Sequence, residues 1–313
     1  MTNLMQAITG VLDLGLLQGL VFAGVALSVV LSLLVLNFPD LSIEGTFPLG
    51  ASIAGVAMSY GWGSTIAFFA ALLAGALSGL LTAVLHTKLR MSKLLSGICT
   101  GTILYTMNLW ILGGKGNVAV MDGTYLAPFE RMDAALNSAF HTGTMYLHLG
   151  SILGCLILAW LLKVLIDRTL QSEFGVALRC VGQNEEGAKI RGRNADRYKL
   201  VGLAMANAAA SCAGALAAQY QGYADVNMGV GILVVGLVAV VLGQEIFARI
   251  GWSLSSMTAL TRSALVGLVT YEIVIAGVLR AGVPPTALRL LTGVALIIVV
   301  AFRQKREPLS FAW

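Results

Sequence analysis

Residues 47–85 carry no Asp, Glu, Lys or Arg and are punctuated only by Tyr60-Gly61-Trp62-Gly63-Ser64. A bilayer crossing takes about 20 apolar residues, so this run holds most of two crossing helices. The whole chain agrees: 58% of residues are hydrophobic, 11% are charged and the mean hydropathy is +0.85. Soluble domains average about 25% charged residues, and the 20 basic and 15 acidic side chains here cannot cover a large soluble core. The chain is expected to be an all-α, polytopic membrane helix bundle in which residues 1–313 form one transmembrane domain.

Further spans fall at residues 14–36, 94–112, 146–166, 200–219, 230–244, 254–279 and 283–302. Lys and Arg accumulate on the cytoplasmic side of short loops. Lys88, Arg90 and Lys93 mark one inside loop, residues 163–199 a second, and Arg303, Lys305 and Arg306 an inside C-terminus. The loop at about 113–145 sets Lys115 and Arg131 against Asp122, Glu130 and Asp133 and is expected outside. No Lys or Arg precedes Lys88, which leaves the side of the N-terminus open. MTNLMQAITG lacks a positive n-region, so no cleaved signal peptide is expected.

Residues 37–50, NFPDLSIEGTFPLG, interrupt the apolar pattern with Asp40, Glu44, Pro39 and Pro48. Irregular backbone at membrane depth is tolerated only where protein buries it or a water-filled cavity meets it. The segment is either an exposed loop or a broken second helix lining a pathway with Asp40 and Glu44, and the count of about 8–10 transmembrane helices depends on the choice. Gly15/Gly19, Gly75/Gly79, Gly97/Gly101 and Ala210/Gly214/Ala218 are small-xxx-small pairs that indicate close helix packing. In the outside loop, Phe129, Met132, Leu136 and Phe140 share one helical face. That face lies on the bundle or meets an extracytoplasmic partner.

Several chemistries lack their residues. GxxxxGK[ST], HExxH and GxSxG are absent. Cys99, Cys155, Cys180 and Cys212 form no CxxC pair or Cys/His cluster, so neither a metal nor a disulfide framework is indicated. His86, His141 and His148 sit near helix ends. No catalytic residue is assigned. The net charge of +5 follows from topology and calls for no nucleic acid.

Ionisable groups inside a membrane are costly and by default suggest function. Glu272 and Arg289 flank the turn at 280–285 and are expected either to form a structural ion pair or, for Glu272, to line the pathway. Glu245 and Arg249, at i and i+4 in the favourable order, read as a helix-end pair.

The charged island at about 172–199 sets six basic residues, Arg179, Lys189, Arg191, Arg193, Arg197 and Lys199, against four acidic ones. Phe174, Ala177, Leu178, Val181, Ala188 and Ile190 are interleaved, with Gly182-Gln183-Asn184 breaking the pattern. This predicts a helix–turn–helix on the membrane surface with one side against the bundle and the other free for a cytosolic partner. The alternative is a solvated loop with an amphipathic helix.

Ser172-Glu173-Phe174-Gly175, Ala177-Leu178-Arg179, Gly182-Gln183-Asn184, Ala188 and Gly192 resemble the cytoplasmic signature of permease subunits of bacterial ABC importers, in the branch that includes branched-chain amino acid and ribose permeases. Residues 37–51 and 238–243 (VAVVLG) resemble it too, and residues 38–50 and 85–89 look closest to permeases paired with tryptophan/tyrosine-type binding proteins. The chain departs from the common pattern at Gln244-Glu245, where a further Gly is usual. The resemblance implies a cytoplasmic coupling helix with Glu173, Gly175, Ala177, Arg179, Gly182, Asn184, Glu185, Ala188 and Gly192 meeting an ABC ATPase subunit. It also implies two ATPase copies holding ATP and Mg, no cofactor on this chain, a periplasmic or lipid-anchored substrate-binding protein, and a second permease copy in the inner membrane. The solute would be an amino acid or related metabolite. The competing readings are an ion-coupled secondary transporter with Asp40, Glu44 and Glu272 as relay groups, and a membrane scaffold.

Overall fold

The computed structural model describes the backbone of residues 2–120, 124–139 and 148–304, and the side chains of these except 2–7, 139, 285, 289, 299–300 and 302–304. The first span is one bent element: α1 (Thr2–Val21), α2 (Ala23–Val29) and a π-helical turn at Val30–Val35, with a 49° change of axis at Phe22. There follow α3 (Ile43–Ser59), α4 (Ser64–Thr87), α5 (Lys93–Ile111), α6 (Ala127–Ala139), α7 (Leu149–Gln171), α8 (Glu173–Gln183) and α9 (Glu185–Ile190). The chain continues with α10 (Ala195–Gln221), α11 (Ile232–Ile250), α12 (Met257–Arg280) and α13 (Leu288–Gln304). Six helices, α4, α5, α7, α10, α11 and α12, are long and apolar enough to cross a membrane, and the bent first span makes seven. With the shorter α3 and α13, of 17 residues each, the described residues contain nine candidate segments.

A ribbon of two three-residue strands, which the sequence did not signal, joins β1 (Asn117–Ala119) to β2 (Tyr223–Asp225), antiparallel with Asn117 opposite Asp225. It ties the α5–α6 connection to the α10–α11 connection, so both lie at one end of the bundle. Lys88, Lys93 and the α8–α9 pair lie at the other, hereafter the basic end.

α10 is the hub. About 72% of its apolar stretch is buried, against 28% for α5, so α10 is central and α5 peripheral. Its neighbours α2, α3 and α4 come close because small residues face one another. A Cβ added at Gly214 would stand 1.9 Å from the Phe47 carbonyl oxygen, and one at Gly79 would stand 2.2 Å from that of Leu203. Gly15 and Gly19 serve the α1–α12 contact in the same way, against the backbones of Ile273 and Val269. Leu27, Leu31, Phe47, Leu203 and Leu260 fill the core between these contacts.

α6 lies on α7. The Phe129 ring covers Gly154, and Asp133 caps α7 by accepting from the Gly150 and Ser151 amides at 2.5 and 3.0 Å. The helical face read from Phe129, Met132 and Leu136 therefore belongs to a helix lying on the bundle; Phe140 lies outside the described residues.

The interruption read at 37–50 is shorter than expected and precedes its helix. Only residues 37–42 leave helical geometry, and Pro48 sits inside α3. Proline removes one amide donor, which frees the carbonyl of Glu44 four residues earlier. Gly229 packs onto that carbonyl so closely that a Cβ there would lie 1.8 Å from its oxygen.

Overpacking a tight contact costs about 1–3 kcal/mol, and more against rigid backbone. Gly214→Leu is expected to abolish the monodisperse peak of detergent-purified protein on size exclusion. Gly63→Ala, where a Cβ meets nothing within 4 Å, should leave it unchanged.

Candidate functional site

The first span ends in a turn that is not α-helical. The amide of Leu36 donates to Leu31 O at 3.1 Å and that of Phe38 to Ser32 O at 2.8 Å. Asn37 then adopts φ +50°, and its carbonyl accepts from Lys93 Nζ at 2.8 Å. π-turns of this kind concentrate at functional positions because they re-aim the chain. Asp40 follows. Its Oδ1 accepts from the Ser42 amide at 2.9 Å and the Ser42 hydroxyl at 2.5 Å, and its Oδ2 from Asn207 Nδ2 at 2.7 Å. Asn207 Oδ1 accepts in turn from Thr46 Oγ1 at 2.7 Å. Asp40, Ser42, Thr46 and Asn207 are all buried. With both oxygens engaged, Asp40 clasps the start of α3 to α10.

Glu44 and Glu272 face space. A cavity of about 320 Å³ between α3, α5 and residues 226–230 is lined by Glu44, Pro48, Ile98, Tyr105, Asn108 and Val230, among others. Glu44 Oε1 accepts from the Gly231 amide at 3.2 Å. Glu272 lines two further cavities, of about 420 and 390 Å³, which also share Gln18. It is 5% exposed and has no hydrogen bond or ion pair among the described residues. The side chain of Arg289, its expected partner, lies outside the described residues. The expected pair between Glu245 and Arg249 is present, at 2.8 Å.

The charged island folds as the helix–turn–helix its sequence suggests. Ser172 caps α8 by accepting from the Gly175 amide, and Asn184 ends α8 and caps α9 by accepting from the Gly187 amide at 2.8 Å. Gly192, at φ +74°, turns the chain into α10. Gly175, Ala177, Leu178, Val181 and Ala188 face the bundle. Gly182 lies on the end of the first span, where a Cβ would stand 2.0 Å from Val35 O. Gly175, Ala177, Gly182 and Ala188 thus position the segment, and Glu173, Arg179, Asn184 and Glu185 retain exposed surface.

The family model described as branched-chain amino acid transport system / permease component matches residues 11–300. The chain belongs to that permease family. It is similar to the tyrosine transport system permease protein of Clostridioides difficile (strain R20291), at 32% identity over 284 residues, 91% of this chain and 88% of the relative. It is also similar to an uncharacterized protein of Rickettsia prowazekii (strain Madrid E), at 27% identity over 294 residues, 93% of this chain and 97% of that one. No solved structure matches it. The permease is a multi-pass membrane protein of an amino acid transport family.

In this permease the structure adds residues that sequence reasoning passed over. Ile190, one of the apolar residues interleaved with the charges, is 87% exposed, and Val176 is exposed on the same segment. His86, taken as an unremarkable helix-end residue, belongs to a network: Nδ1 meets the Met91 carbonyl at 2.8 Å, which leaves Nε2 to accept from Lys199 Nζ at 3.1 Å. Lys199 also binds Glu185 at 2.6 Å, and Lys189 binds the same carboxylate at 2.8 Å. Deeper in the bundle Lys163 pairs with Asp167, whose other oxygen accepts from Thr261 at 2.6 Å and braces α7 to α12.

Partial burial alone would raise the Glu185 carboxyl, but hydrogen bonds and charge from Lys189 and Lys199 outweigh it and hold the group at about 2. A depressed carboxyl stabilises the fold above its unfolded value, 4.5, and that contribution is lost as pH falls through about 2. The thermal midpoint of the permease should exceed that of Glu185→Gln at pH 6, and the difference should shrink progressively between pH 4.5 and 2.

Proposed function

We propose that this chain is the membrane-spanning permease subunit of an ATP-driven importer of the inner membrane. The basic end is cytoplasmic and so is the C-terminus. Two ATPase subunits dock on α8–α9, with ATP and Mg held there, and a periplasmic or lipid-anchored binding protein delivers the solute at the opposite end. The observation that carries this reading is the α8–α9 pair. Gly182 seats its inner face on the first span and Leu178 is buried over Gly202 of α10, while Val176 and Ile190 are exposed and Arg179 is half-exposed. A rigid element seated on the bundle is what ATP-driven closure needs to move it between two states.

A second permease copy completes the conduit. α5 leaves Ile98 and Tyr105 exposed beside Glu44, and a carboxylate next to such a face is costly in lipid. A second subunit enclosing water removes that cost. An aromatic amino acid is the proposed solute, in line with the tyrosine permease relative.

The test is reconstitution. Purified alone, the permease should not move labelled tyrosine into proteoliposomes; with its ATPase and binding protein it should do so only with ATP. Ile190→Asp and Arg179→Glu should each lower that uptake at least tenfold at unchanged membrane insertion. Uptake by the single polypeptide driven by an ion gradient would establish the secondary-transporter reading instead.

We also propose Arg289 as the partner of Glu272. A lone charge at that depth costs about 2.5–3.5 kcal/mol. Glu272→Ala should therefore reduce folded yield, and Glu272→Gln with Arg289→Gln should recover much of it, since an amide pair still hydrogen-bonds. Independent effects of the two single changes in a double-mutant cycle would refute the pair.

A further inference from the structure

The cavity between α3 and α5 has a one-sided chemistry. Asn108, fully buried on α5, donates through Nδ2 to the Gly45 carbonyl at 3.1 Å. That bond fixes the amide so that Oδ1 is an acceptor, and Oδ1 has no partner among the described residues. A buried acceptor left without a donor carries its full desolvation penalty, so it marks a place for an absent donor. One residue before Gly45 stands Glu44, whose Oε1 is held by the Gly231 amide while its second oxygen has no partner among the described residues. The Thr102 hydroxyl donates to Cys99 O at 2.8 Å and so has only lone pairs to offer the cavity. Among the described residues, no Lys or Arg lines the space. Tyr105 adds a half-exposed aromatic ring, a surface that attracts cations.

Resting on the importer reading above, we propose that Glu44 and Asn108, with Tyr105 alongside, receive the ammonium group of the transported solute, while Pro48, Ile98 and Val230 seat its apolar part. A primary ammonium has three donors and no acceptor. It satisfies a carboxylate, an amide oxygen and a hydroxyl lone pair together, whereas a carboxylate or phosphate would stand beside the Glu44 carboxylate with only neutral side-chain donors, the Tyr105 hydroxyl and the second Asn108 N–H, to receive it. Glu44 is placed to discriminate: it lies in the first turn of α3, whose start Asp40 clasps to α10, and its carboxylate is aimed by Gly231 from the facing segment. Movement of residues 36–42 would shift the site.

The test is equilibrium binding of radiolabelled tyramine to the purified permease in nanodiscs at 150 mM NaCl, which screens diffuse attraction of cations. Saturable binding is expected. 3-(4-Hydroxyphenyl)propanoate, with the same ring and no amine, should fail to compete. Glu44→Gln keeps an acceptor for the Gly231 amide and should fold, yet lose affinity at least tenfold; Glu44→Asp should lose less. Asn108→Leu should weaken binding, and a thermal midpoint within a few degrees of wild type would show that the bundle is intact. No tyramine binding by wild type, equal competition by the propanoate, or undiminished binding by Glu44→Gln would overturn the proposal. A complex that imports with ATP but does not bind tyramine would sink this pocket alone. Tyramine binding without ATP-dependent uptake by the assembled complex would sink the importer reading and leave the pocket standing.

Discussion

Residues 36–42 must run through a crowded apolar bundle without a helix to satisfy their backbone, and the rest of the molecule is arranged around that constraint. An unsatisfied backbone group at such a place costs several kcal/mol. The solution is local and polar: the π-turn recovers the amides of Leu36 and Phe38, Lys93 takes the Asn37 carbonyl, and Asp40 takes the Ser42 amide. Asn207 closes the cluster from α10, the most buried of the six long spans. With Asp40 sealed in this way, the start of α3 is fixed to the hub and Glu44 acquires a definite position one turn later.

That arrangement connects the two candidate functional regions by contact. Gly182 of α8 bears on Val35 and Leu36, which lead directly into the clasped segment and then to Glu44. The far side of Glu44 is held by Gly231, in the connection leading to α11. A displacement of α8 therefore has a short mechanical route to the cavity, through packed backbone with few soft side chains in between. Glycines at Gly182, Gly214 and Gly229 keep the route stiff, since each sets backbone against backbone.

Much of this was legible in the sequence. Apolar runs located the spans, and Tyr60-Gly61-Trp62-Gly63 located the break between α3 and α4, because helix length and glycine punctuation are local properties. The helix–turn–helix over 173–190 was legible for the same reason. Other features were not. The 49° bend at Phe22 has no proline to announce it and arises where Gly24 lets the chain approach Ala209 on α10. Attention to charges passed over Asn108 and Asn207, though a lone amide in an apolar helix carries a similar demand for partners; that was the available signal. Lys163 and Asp167 read as the edge of a solvated island, yet their pairing and the Thr261 contact allow both to be buried.

The same geometry bears on how the solute is driven. A proton relay requires ionisable groups that exchange a proton through touching side chains or water. Asp40 has both oxygens occupied by Ser42 and Asn207. Glu44 and Glu272 open into different cavities, and the Val230–Gly231 backbone that lines the Glu272 cavity holds Glu44 by a hydrogen bond donated from the Gly231 amide, which cannot carry a proton onward. Three carboxylates in one membrane domain thus take three separate tasks: one clasps helices, one faces an acceptor-lined cavity, and one stands beside the last hairpin. That separation agrees with the importer reading proposed above, in which work reaches the bundle through the α8–α9 pair.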